Sequence, residues 1–110
     1  MWLLICQHIK CGKNTGWYRV WTDLYKQQGG EMTGVWYDYT LYQINFHKVF
    51  LYPPPQVHIQ TFMGPTARDP NVNSTAVYER FTYGFNFWKL QGGNPTPNGH
   101  MYIYWLAQGY

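Results

Sequence analysis

Charge is what this 110-residue chain has least of: Asp, Glu, Lys and Arg together make up 12% of it, about half the usual share. A lone subunit with so little charge is poorly soluble, so partner subunits are expected to cover part of the surface. The eight basic residues exceed the five acidic ones by three, but they are scattered as Lys10, Lys13, Arg19, Lys26, Lys48, Arg68, Arg80 and Lys89. No basic stripe forms, and this argues against a nucleic-acid partner. Long apolar runs are missing too. Met1 to Cys6 turns polar at Gln7-His8, too soon for a signal-peptide core or a membrane span, so no membrane insertion is expected. Cysteine is limited to Cys6 and Cys11, a pair too close to staple much and without the companions a zinc site needs. They read as free thiols or, failing that, as a local or intersubunit disulfide.

The chemistry of an enzyme is hard to find. Asp23, Glu31, Asp38, Asp69 and Glu79 show no spacing that pairs two carboxylates. His8, His47, His58 and His100 are scattered, with no His-x-His or His-Glu-x-x-His. Ser74 is the only serine and lies in Asn73-Ser74-Thr75, a glycosylation sequon in form but no nucleophile elbow. Gly29-Gly30 and Gly92-Gly93 read as turn glycines. The chain is therefore expected to be non-enzymatic and to need no cofactor or metal.

Aromatic rings are what the chain has in excess: 21% of residues, with 11 Tyr and 6 Trp. Such side chains suit half-buried sheets and binding surfaces, having an apolar body and a polar tip. Eleven Gly and seven Pro interrupt the chain, and no window sustains a 3.6-residue apolar period, which excludes long helices. Period-two alternation predicts strands instead. They run over residues 2–10, 17–21, 24–28 (ended by Gly29-Gly30), 35–46, 56–63, 75–82, 85–90 and 100–107. Trp36, Tyr42, Ile44 and Phe46 share one side of the long fourth strand. Val57 and Ile59 oppose His58 and Gln60 on the fifth, and Met101, Ile103 and Trp105 line the last. Pro53-Pro54-Pro55 marks a stiff crossover, and residues 64–74 and 91–99 read as polar loops. The result is an all-β, antiparallel sandwich or barrel of six to eight strands in a single domain over residues 1–110.

The stretch from Gly16-Trp17-Tyr18-Arg19 through Asp23 to Gln28-Gly29-Gly30 resembles a hairpin near the C-terminus of phage tail-fibre proteins. Tyr83-Gly84-Phe85 is similar to that family's Thr-Gly-Phe turn, and Tyr104 to Tyr110 to its closing strand. The chain also resembles H-type lectins, in Ile9-Lys10-Cys11-Gly12 with Gly16-Trp17, in Phe46-His47-Lys48-Val49-Phe50 with Pro54-Pro55-Gln56-Val57, and in Gly84-Phe85 and Trp105. The lectins' sugar site does not carry over. Residues 92–99 hold no ring, Asn71 to Asn73 stand where an arginine is expected, and Lys89 falls about where a cysteine would face Cys11.

The resemblance implies a homotrimer with rings packed around an axis, and a receptor-binding tip that holds a virion to bacterial surface polysaccharide. It also implies a fragment lacking a fibre shaft. Loops at one end of a sandwich are where such a site is expected. The candidates are Arg68, Asp69, Asn71 and Asn73 in one loop, Asn94, Asn98 and His100 in the next, and Trp36, Tyr37 and Asp38 beside them. The alternatives are a secreted, stand-alone H-type lectin for N-acetylgalactosamine-like sugars, a trimerisation domain without ligand, and a tip that grips an outer-membrane protein.

Overall fold

The computed structural model describes residues 3–11, 14–63, 74–90 and 101–110. They form eight strands: β1 (Leu3–Cys11), β2 (Asn14–Trp21), β3 (Lys26–Thr33), β4 (Thr40–Asn45), β5 (Gln56–Met63), β6 (Thr75–Arg80), β7 (Gly84–Lys89) and β8 (Met101–Gly109). A larger sheet has the order β1-β2-β3-β8-β5 and a smaller one the order β4-β7-β6. All the pairings are antiparallel. The expected all-β antiparallel sandwich is what forms.

The alternation read from the sequence decides which side chains lie between the sheets. Met101, Ile103, Trp105 and Ala107 of β8 face Ile44, Phe85 and Phe87 of the smaller sheet, with Val57 and Ile59 packed alongside. Rings meet here edge-on or tilted, the preferred geometry for aromatic quadrupoles. Phe46 contacts Phe50, Phe85 and Trp105 at centroid distances of 4.9, 5.9 and 5.8 Å.

Two expectations about strand limits are corrected. Gly29-Gly30 does not end β3, which runs through both glycines to Thr33. Gly29 is needed for close approach: a Cβ there would lie 2.5 Å from the Trp105 carbonyl oxygen and 3.1 Å from the Trp17 ring. The strand expected over 35–46 is shorter, since β4 begins only at Thr40. Tyr39 takes a left-handed φ of 53°, a conformation that breaks a ladder and is uncommon outside glycine.

The connection between β4 and β5 crosses one end of the sandwich. Phe46 and Phe50 donate their N–H groups to the carbonyls of Tyr83 and Thr82. Gln28, fully buried, holds the same crossing from the larger sheet. Its side-chain amide donates to the Lys48 carbonyl at 2.7 Å and accepts from the Lys48 N–H at 2.9 Å. His47 Nε2–H donates to the Gly29 carbonyl at 3.1 Å. It has room only because residue 16 is glycine: a Cβ there would lie 2.2 Å from His47 Nε2. The Leu51 N–H, donating to the Tyr110 carbonyl, ties the last residue to this crossing.

Candidate functional site

The ladders define two ends. One carries the β2–β3 turn, the crossing from Phe46 to Pro55, and Tyr110. At the other end β3 stops at Thr33, β4 starts at Thr40, β5 stops at Met63 and β8 starts at Met101. There Met63 pairs with Met101, Thr33 with Tyr102, and Lys89 with both Thr40 and Thr75. The Leu90 N–H donates to the Ser74 carbonyl at 2.9 Å. Met63, Ser74, Leu90 and Met101, the described residues that flank 64–73 and 91–100, therefore lie at the end where residues 34–39 sit. Arg68, Asp69, Asn71, Asn73, Asn94, Asn98 and His100 themselves lie outside the described residues.

Of the three candidates that are described, Tyr37 alone is displayed. It is 51% exposed, and its backbone N–H donates to the Tyr42 hydroxyl at 2.8 Å, which fixes the segment. Trp36 turns the other way. It is buried, edge-on to Tyr42 at 5.0 Å and tilted on Phe87 at 5.9 Å. Its indole Nε1 is buried without a hydrogen-bond partner. Asp38 is taken by an ion pair with Lys89, whose side chain is fully buried while that of Asp38 is 13% exposed. The expected role of Trp36 and Asp38 is therefore revised. Their groups are spent on packing and charge pairing, and both support the displayed segment from beneath.

Two exposed rings and one half-buried ring were missed in the sequence. Tyr39, at the left-handed position, is 68% exposed. Tyr78 is exposed on β6, and Trp88 of β7 meets it edge-on at 6.2 Å. Alternation could have found Trp88, because it shares a parity with Asn86 and so falls on the polar side of β7.

Two hollows lie elsewhere. One, of about 450 Å³, is lined by Asp23, Leu24, Lys26, Val49, Phe50, Leu51 and Tyr110 at the Tyr110 end. Tyr110 donates its hydroxyl to Asp23 at 3.2 Å. That hydrogen bond and the carboxylate's charge hold the phenol pKa above the usual tyrosine value. The other, of about 270 Å³, indents the outer face of the larger sheet between Trp17, His58, Gln60, Tyr104 and Leu106. Among the described residues, no group of three or more His, Cys, Asp and Glu side chains could hold a metal ion.

Comparison with solved structures brings out one kind of protein. The chain superposes on an N-truncated R1-type pyocin tail fibre with a TM-score of 0.69 at 14% identity, over 97% of this chain and 87% of that one. It has the fold of pyocin tail fibres. A C-terminal portion of the P. aeruginosa R1 pyocin fibre gives a TM-score of 0.64 at 16% identity, and one of the P. aeruginosa R2 fibre gives 0.56 at 14%. This chain spans 28% and 26% of those longer structures while 97% of it is covered in each. No protein-family model and no curated protein matches the sequence.

Proposed function

We propose that this chain is the receptor-binding tip domain of a phage-type tail fibre, a homotrimeric and non-enzymatic module that adsorbs the particle to bacterial surface polysaccharide. The fold carries the reading, since 97% of the chain superposes on a pyocin tail fibre. The end bearing Tyr37 supports a ligand site there. The described residues flanking 64–73 and 91–100 lie at it, and Arg68, Asp69, Asn71, Asn73, Asn94, Asn98 and His100 would supply the hydroxyl partners. Sugars bind through ring C–H groups against aromatic faces and through hydroxyls on polar groups. A single shallow site of this kind reaches a dissociation constant on the order of 1 mM, about −4 kcal/mol. Multivalent display raises this by a factor of about 10²–10⁴ without new contacts.

The outer face of the larger sheet supports self-association. Trp17 and Leu106 lie on it in register with Gly29, and Tyr104 and Phe62 lie on the same side in the rows of Glu31 and Thr33. Gln27 donates to Gln108 at 3.0 Å, and Gln108 donates to Gln56, so an amide chain crosses three strands. Rings with few charges are what the centre of a protein interface selects.

The test is a panel of immobilised bacterial capsular and O-antigen polysaccharides, run beside the solution mass by light scattering. Binding to a subset of the polysaccharides and a mass near three times 13.1 kDa are expected. A blank panel would remove the glycan reading, and a monomer would remove the trimeric one.

A further inference from the structure

The outer face of the smaller sheet carries an apolar stripe where alternation calls for polar side chains. Phe85 and Phe87 point inward from β7, Ile44 from β4 and Val77 from β6. The opposite parity puts Leu41, Gln43 and Asn45 of β4, Asn86 and Trp88 of β7, and Ala76 and Tyr78 of β6 on the outside. The ladders set these in rows. Leu41, Trp88 and Ala76 are direct cross-strand neighbours, and Gln43 lies beside Asn86 in the next row. On β6 the register shifts between Val77 and Glu79, which brings Tyr78 against the indole of Trp88. Trp88, Leu41 and Tyr78 are outside the core between the sheets, Trp88 half-buried and the other two exposed.

We infer that this face is a saccharide platform, taking a neutral hexopyranose unit of a surface polysaccharide with its C–H face on the Trp88 indole. The inference rests on the receptor-binding reading and names a second site for it, distinct from the loops at the Tyr37 end. The layout fits a sugar ring in three respects. Successive outward rows are about 6.8 Å apart along a strand, so a group lying on Trp88 brings its hydroxyl edge over the amides of Gln43 and Asn86. The Gln43 amide is pre-set, its Nε2 donating to Asn45 Oδ1 at 2.9 Å. Ala76 leaves the β6 side of the indole low, while Tyr78 walls the row beyond it. A second protein surface laid here would bury amide groups that apolar side chains cannot pair, a cost that sugar hydroxyls avoid.

The charges nearby select a neutral unit over an acidic one. Glu79 pairs with Asn86 across the ladder and is exposed, so it repels a carboxylate. Neither cation beside the stripe is free to answer an acid: Lys89 is buried in its pair with Asp38, and Arg80 donates its guanidinium to the Pro55 carbonyl at 2.8 Å.

The probes are methyl glycosides of glucose, galactose, mannose and the N-acetylated hexosamines, each titrated past about 1 mM, the scale of one shallow site. NMR reads the Trp88 indole N–H and the side-chain amides of Gln43 and Asn86. At least one glycoside is expected to move all three, saturably. Trp88→Ala should weaken that glycoside on the order of tenfold, about 1.4 kcal/mol. Asn86→Ala, which leaves the stripe intact, should weaken it less, and Tyr104→Ala on the opposite sheet should not. A panel that leaves the three signals still overturns the platform, as does a Trp88→Ala protein that changes its solution mass but binds the glycoside unchanged. Either result spares the receptor-binding reading if the polysaccharide panel is positive; that reading falls only when the polysaccharides fail as well.

Discussion

Asp38→Ala should be among the most damaging single changes in the smaller sheet. It would strand Lys89, whose side chain is fully buried and whose ion-pair partner is Asp38. Removing one member of a buried pair costs about 3–5 kcal/mol, because the remaining ion has neither water nor a counter-charge. A domain of this length has a total stability of about 5–15 kcal/mol, so about a fifth or more would go. At about 4 °C or more per kcal/mol, the melting temperature should fall by about 12 °C or more. Urea unfolding followed by far-ultraviolet circular dichroism gives the free energy directly. The double variant Asp38→Ala with Lys89→Met discriminates the cause. It removes both charges and keeps the Lys89 volume, and replacing a buried pair by apolar side chains is often neutral or stabilising, so most of the loss should return. A loss below about 1 kcal/mol for Asp38→Ala would place this pair among solvent-exposed ones, and the argument for a buried, obligatory pair would be refuted.

Other consequences follow from the crossing and its neighbours. Gln28→Leu leaves the N–H and C=O of Lys48 without their partner, at about 1–3 kcal/mol for an unsatisfied buried group; amide exchange at Lys48 should accelerate well beyond that of the strands. Leu24 holds a φ of 71° in the β2–β3 turn and its side chain is largely exposed, so Leu24→Gly should be neutral or stabilising by up to about 1–2 kcal/mol, the cost of a left-handed L-residue. Loss of stability in that variant would mean that Leu24 packs on its hollow. Tyr110 should titrate above an ordinary tyrosine. Its raised folded value means that its contribution is present below the unfolded pKa and lost as pH rises through the folded one. Asp23→Asn should bring the Tyr110 pKa down in a ¹³C NMR titration of the tyrosine ring carbons.

Much of the fold was legible wherever alternation was clean. β5 runs over residues 56–63 as read, and Met101, Ile103 and Trp105 line the inner side of β8 as expected. The sequence misled at Gly29, where turn chemistry and close packing select the same residue, and nothing local reveals that a carbonyl from β8 presses on it. It misled again at Asp38. A carboxylate beside two rings looks like a sugar ligand until Lys89, 51 residues away, is seen to claim it. Trp36 looked equally suited to a surface and proved to be core. Trp88 was legible in its parity but was passed over, because a ring in a strand reads first as packing.

The receptor-binding account is tested most directly on cells. Fluorescently labelled protein is mixed with a range of bacteria, each untreated or with its surface glycans oxidised by periodate, and bound label is counted by flow cytometry. The account predicts that a subset of strains is labelled and that periodate abolishes the signal. Binding that survives periodate would point to a protein receptor, and no binding to any strain would contradict the account altogether.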